Sequence, residues 1–220
     1  MNARNCAIAS CLFASSVAHA TTVITFDGFS TNNVVIATIA GFGDNIASSS
    51  ASFSVSPGLL VSGTPAISLD WLSEGWHSYT GWNGRGSVAQ LDFSGAPTIS
   101  ILFTPSAESA VLVNAFDLDE WAGGGAGSIN WSVSGISSGV LASGNWSKTN
   151  AGGRDTIALP ASSAGLPGEP VTLSFTLLSG ARSYFALDNL TFDQVPEPSS
   201  AMLAGLGLGA AIMRRRRPSA

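Results

Sequence analysis

The chain has 220 residues and two cysteines, a length that suits one domain or two. Its formal charge is −5, but between Thr21 and Val195 the four basic residues Arg85, Lys148, Arg154 and Arg182 face thirteen acidic ones, a balance of −9. A body this acidic repels phosphate backbones and argues against nucleic acid as a partner, while cations and neutral polymers such as polysaccharide remain compatible with it.

The first twenty residues carry one positive charge, Arg4. A small and apolar run from Cys6 to Ala18 follows, ending on Ala18-His19-Ala20. Charge, short apolar core and a small-x-small triplet are the pattern signal peptidase reads, so residues 1–20 are expected to be a secretory signal peptide. Both cysteines, Cys6 and Cys11, fall inside it. The body at 21–194 therefore has no disulfide to lean on and must be held by its core.

Within that body, short alternating runs are separated by Gly, Ser, Pro and Asn. Val23-Ile24-Thr25-Phe26-Asp27 reads as a first strand. The segment Asp70 to Trp82 then concentrates Trp71, Trp76, His77, Tyr79 and Trp82 around Gly75 and Gly81. Aromatic rings on glycine-containing loops can offer flat faces to sugar rings, with Glu74, Asn83 and Arg85 as rim groups for hydroxyls. The opposing expectation is that these rings cover one edge of the core.

Ile99, Ile101 and Phe103 alternate with Thr98, Ser100 and Leu102, and Val171, Leu173, Phe175 and Leu177 alternate with Thr172, Ser174 and Thr176. Period two with β-branched enrichment predicts half-buried antiparallel strands, and no amphipathic helical stretch precedes the C-terminal tail. Ten to twelve such strands make an all-β antiparallel two-sheet sandwich, jelly-roll-like by preference. The run Phe116-Asp117-Leu118-Asp119-Glu120-Trp121 places Asp117 and Asp119 on one strand face. Three acids within four residues repel one another unless a cation or solvent relieves them, and calcium suits such hard oxygen ligands.

From Tyr184 to Phe192 the pattern changes phase: Phe185 and Leu187 share one parity, Leu190 and Phe192 the other. Either a bulge lies at Asp188-Asn189 or Asp188 points with the core residues. The stretch Phe185 to Phe192 resembles the closing strand of extracellular jelly-roll domains, including carbohydrate-binding modules. That resemblance implies that Asp188 helps hold a structural calcium. With Asp117 and Asp119 of the acidic run, Asp188 and Asp27 at the end of the first strand are candidate ligands of one calcium site or of two, and no sequence argument fixes which acids meet.

The tail runs from Pro196-Glu197-Pro198 through the apolar stretch Ala201 to Met213 and ends in Arg214, Arg215, Arg216 and Arg217 before Pro218-Ser219-Ala220. Thirteen residues make a helix of about 20 Å, shorter than the ~30 Å hydrocarbon core, so spanning needs snorkelling arginines or local thinning. The arginines hold that end in the cytoplasm. These three parts in order resemble the PEP-CTERM sorting signal of Gram-negative bacteria. The resemblance implies transient insertion in the inner membrane, recognition by a membrane-embedded exosortase, cleavage near the motif, and a final place at the cell surface among exopolysaccharide.

One histidine after residue 20 and no phosphate-cradling glycine loop leave little for catalysis, so no enzymatic activity is expected. The function read from the sequence is that of an exported surface or matrix protein that binds exopolysaccharide. The alternative is a secreted glycan hydrolase of the same fold, with Glu74 and Asp70, or Glu120 and Asp117, as the nominal carboxylate pairs.

Overall fold

The computed structural model describes residues 20–27, 29–36, 67–107, 109–148, 152–180 and 185–196. Residues 1–19, Glu197, Pro198 and the arginines 214–217 lie outside that set. The described residues form eleven strands: β1 (Ala20–Ile24), β2 (Ile67–Trp71), β3 (Trp76–Tyr79), β4 (Val88–Leu91), β5 (Thr98–Pro105), β6 (Ser109–Glu120), β7 (Gly127–Gly135), β8 (Gly139–Lys148), β9 (Arg154–Ala158), β10 (Val171–Ser179) and β11 (Phe185–Pro196). One sheet has the order β3-β4-β11-β6-β9, with β1 also on β11; the other is β2-β5-β10-β7-β8. All pairings are antiparallel. The described residues form a two-sheet antiparallel sandwich.

The alternating runs behave as their period demands. β5 and β10 pair Ile99 with Phe175, Ile101 with Leu173 and Phe103 with Val171, and all six side chains are buried between the sheets. On the outer face of the same ladder, Thr98 and Thr176 hydroxyls meet at 2.9 Å and Ser100 and Ser174 at 2.8 Å. Such cross-strand pairs fix register on both faces at once. Across the core, Phe116 meets Phe175 edge-on at 5.5 Å and Phe103 meets Phe192 at 5.1 Å. Each buried ring contributes about 2–3 kcal/mol of transfer free energy.

β11 is the spine of the first sheet. It pairs with β6 along one side, while β4 and β1 share its other side in tandem, β4 against Phe185–Leu187 and β1 against Leu190–Gln194. The phase change in its sequence is resolved by a bulge. Asp188 faces Asp117, Thr191 faces Ala115, and Asn189 between them has φ 47°. Asparagine tolerates that left-handed conformation better than a β-branched residue. The bulge puts Phe185, Leu187, Leu190 and Phe192 all in the core and leaves Asp188 on the outer face.

The two ends of the sandwich differ. At one, Ala20 pairs with Gln194 and Pro196 with Ser109, so the chain enters and leaves the sheet side by side. At the same end the buried Glu169 carboxylate accepts hydrogen bonds from the Ser137 amide, the Ser138 amide and hydroxyl, and the Leu166 amide. The Ser138 hydroxyl and these amides pull Glu169 down to about 2. The other end carries the β2–β3 and β4–β5 turns.

Candidate functional site

The outer face of the first sheet holds the acidic residues singled out by the strand pattern. Because β6 alternates, Phe116 and Leu118 enter the core and Asp117 and Asp119 point out. Cross-strand pairing sets Asp188 opposite Asp117 and Thr156 of β9 beyond it; Arg154 stands opposite Asp119. The structure therefore brings Asp117, Asp119 and Asp188 together, all less than a tenth exposed.

What joins them is Arg154. Its Nη2 lies 2.9 Å from Asp188 Oδ2 as an ion pair, its Nε donates to Asp119 Oδ2 at 3.1 Å, and Nη1 is 3.7 Å from Asp117 Oδ2. Arg85 adds two short bonds from Nη1 to both Asp119 oxygens, at 2.8 and 2.7 Å, and donates from Nη2 to the Gly152 carbonyl at 2.6 Å. Asp117 also accepts from Thr156 Oγ1 and Asn189 Nδ2, each at 2.6 Å, and Asp188 accepts from the Asn189 amide at 2.8 Å. The bulge thus aims the Asn189 side chain at Asp117. Burial pushes Asp188 up to about 6, against the pull of the Asn189 amide and of Arg154, with repulsion from Asp27 and Asp117 adding to the rise. Asp27 itself is exposed, on the rim of this network.

Two guanidinium groups supply positive charge to the three converging carboxylates. Among the described residues no group of three acidic, histidine or cysteine side chains is arranged to hold a metal ion. Arg85 and Arg154 were not assigned to this cluster from the sequence. The available signal was their scarcity: two of only four cations in a body with thirteen acids.

The aromatic segment is mostly core. Trp71 and Trp76 contact each other at 5.0 Å inside the sandwich, Trp76 meets Phe175 at 5.9 Å, and its Nε1 donates to the Ser100 carbonyl at 2.9 Å. Trp82 lies in a second, smaller apolar cluster. The β3–β4 loop folds back over the outer sheet face, where Trp82 packs on Val88 and Ala186. Tyr79 and Trp121 lean on it at 5.2 and 5.0 Å. Asn83 pins the loop, donating to the Glu120 carbonyl at 3.0 Å and accepting from the Ala122 amide at 3.0 Å. The expectation of Trp71, Trp76 and Trp82 as sugar platforms is corrected by this burial, since a ring enclosed by the core has no free face. Tyr79 stays half-buried at the rim of the second cluster.

His77 belongs elsewhere. It lines a cavity of about 430 Å³ between the β2–β3 and β4–β5 turns, together with Ser73, Glu74, Asp92 and Ser94 as polar walls and Val35 and Ala96 as apolar ones. The turns meet closely because Gly75 has no side chain: a Cβ there would stand 2.6 Å from the Asp92 carbonyl oxygen. Asp92 is further fixed by the Ser94 amide at 2.9 Å. Within the cavity wall, Ser73 Oγ and His77 Nδ1 are buried and have no hydrogen-bond partner among the described residues. Of the carboxylates read as hydrolase pairs, Asp70 is exposed and does not line the cavity that Glu74 lines, and Glu120 and Asp117 occupy opposite faces of β6. Asp92, which the sequence did not single out, is the carboxylate that joins Glu74.

Residues 194–217 match the PEP-CTERM protein-sorting motif. The chain carries that motif at its C-terminus, and proteins bearing it are processed by exosortase, exported and sorted to the cell surface. No curated protein matches the chain. Among solved structures it is similar to dimeric latent PorU from Porphyromonas gingivalis, at 15% identity and TM-score 0.38, covering 60% of this chain and 13% of that one. A family 11 carbohydrate-binding module from Clostridium thermocellum, in complex with a β-1,3-1,4-mixed-linked tetrasaccharide, is similar at 17% identity and TM-score 0.30, covering 57% and 81%. The module TmCBM61 in complex with β-1,4-galactotriose is similar at 11% identity and TM-score 0.31, covering 60% and 88%. The chain spans only 13% of the PorU chain's length.

Proposed function

We propose that this is a non-enzymatic exported surface protein whose sandwich, delivered by its PEP-CTERM motif, holds a neutral exopolysaccharide in the cavity between the β2–β3 and β4–β5 turns. The observation that carries this reading is the pair of buried, unsatisfied polar atoms, Ser73 Oγ and His77 Nδ1, in a cavity that also presents Glu74 and Asp92. Buried polar groups are normally hydrogen-bonded, and sugar hydroxyls can both donate to carboxylates and satisfy an imidazole or hydroxyl. A volume of about 430 Å³ falls in the usual range for small-ligand sites, and two carboxylates disfavour acidic sugars. In native gels containing polysaccharide, neutral glycans are expected to retard the protein, and Glu74→Gln and Ser73→Ala to weaken retardation. Equal mobility of wild type and both variants across a glycan panel would remove the cavity from the function.

Glu74 and Asp92 in one cavity also give the hydrolase reading a specific footing. Release of reducing ends, lost in both Glu74→Gln and Asp92→Asn, would favour that reading; retardation without release favours binding.

A further inference from the structure

The end of the sandwich where the chain leaves the fold is tipped with bare hydrophobic side chains. Ile136 is 79% exposed, Val140 69% and Leu166 54%. Ile136 and Leu166 belong to two turns, 136–138 and 164–168, that contain no Lys, Arg, Asp or Glu, and Val140 is the second residue of the edge strand β8 that leaves the first turn. The Glu169 carboxylate ties these turns together by bonding the Ser137, Ser138 and Leu166 amides, so the two turns are fixed to each other at the end of the sandwich where β8 begins with Val140. Gly168 and Gly165 fasten the second turn to the start of β6 through the Ser109 and Val111 carbonyls. Ser109 is also the partner of Pro196.

Pro196 is the last described residue, and the apolar stretch begins at Ala201. The four residues between reach at most about 14 Å fully extended. If residues 201–213 sit in a bilayer, that tether holds this end of the sandwich against the lipid headgroups. Exposed apolar side chains on uncharged turns are costly in water and favourable at such an interface. We propose that the surface bearing Ile136, Val140 and Leu166 seats the domain on the membrane that receives its own C-terminal segment, with the polysaccharide cavity at the opposite end facing outward. The seat holds while the tail is inserted and is released with it.

The test uses the full chain with Cys6→Ser and Cys11→Ser, in vesicles of phosphatidylethanolamine and phosphatidylglycerol. Single cysteines at Ile136, Val140 or Leu166 carry an environment-sensitive dye, and Leu72 and Leu178, exposed apolar residues at the far end, serve as controls. The expected result is blue-shifted emission at the three positions that spin-labelled lipid quenches, with water-like, unquenched emission at the controls. Water-like emission at all five sites overturns the proposal. So does a blue shift that spin-labelled lipid leaves unquenched, which would assign the surface to the chain's own 201–213 segment. Because the labelled side chains are exposed, each variant is expected to melt with the parent.

Discussion

Arg154 Nη2 stands 2.9 Å from Asp188 Oδ2 on the outer face of the first sheet, and the same guanidinium reaches Asp119 at 3.1 Å. This edge-strand cation, together with Arg85 on Asp119, offsets much of the repulsion within a cluster of three carboxylates shielded from water.

Removing that cation is expected to be severe. Arg154→Gln leaves Asp117, Asp119 and Asp188 buried with only Arg85 for charge balance, and breaking one side of a buried ion pair costs about 3–5 kcal/mol. Urea unfolding at neutral pH measures it. The wild-type protein is expected to melt at the same temperature in calcium and in chelator, because Arg154 and Arg85 supply the positive charge. A rise in melting temperature with calcium would show that the carboxylates still recruit a metal.

The acidic groups also set a pH dependence with a definite sign. Asp188, raised to about 6, binds its proton more tightly folded than unfolded. Its contribution to stability therefore falls as pH rises from about 4 to 6, by roughly 1–2 kcal/mol once solvent screening is allowed for, and is flat above. Glu169, lowered to about 2, works in the other direction: its contribution is present above its unfolded pKa and is lost as pH falls through about 2. The summed contribution of these two groups is greatest near pH 4–5, and urea midpoints of wild type and of single variants at the two positions across pH 2–8 isolate it. Asp188→Asn is expected to flatten the decline between pH 4 and 6.

Gly75 is expected to tolerate no side chain. In Gly75→Ala the new Cβ meets the Asp92 carbonyl oxygen at 2.6 Å and Ile99 Cδ1 at 2.8 Å, so the turns must separate. Overpacking of this kind costs about 1–3 kcal/mol and deforms the cavity. Both lower melting temperature and loss of glycan retardation are expected.

The tryptophans separate core from surface. Trp76, fully buried between Trp71 and Phe175, is expected to lose about 3–5 kcal/mol on Trp76→Ala, a collapse visible in thermal melts. Tyr79→Ala, at a half-exposed rim, is expected to cost much less and to leave polysaccharide retardation unchanged, since the ring is not a wall of the cavity.

Much of this was readable in local pattern. The alternation of Ile99, Ile101 and Phe103 with Thr98 and Ser100 assigned strand and face correctly because a two-residue period belongs to the backbone itself. The phase change between Leu187 and Leu190 left a bulge or an inward Asp188 open, and the structure has the bulge, at Asn189. The aromatic segment was less legible, because a tryptophan between glycines has the same sequence appearance whether its ring faces water or fills a core. Asp92 escaped notice for a related reason: it lines the cavity with Glu74 only because Gly75 lets two distant turns touch.

By itself, the sequence determined the alternating core strands such as β5 and β10, the acidic body and the C-terminal sorting motif, all of which rest on periodicity, charge and residue order within a short span; the first strand, read as Val23 to Asp27, is Ala20–Ile24 in the structure. Only the tertiary structure decided that Arg154 sits among three aspartates, that Trp76 is core, and that the exit of the chain shares an end with Ile136, Val140 and Leu166. Those relationships join residues tens of positions apart, and strand order, which no local pattern encodes, is what brings them together.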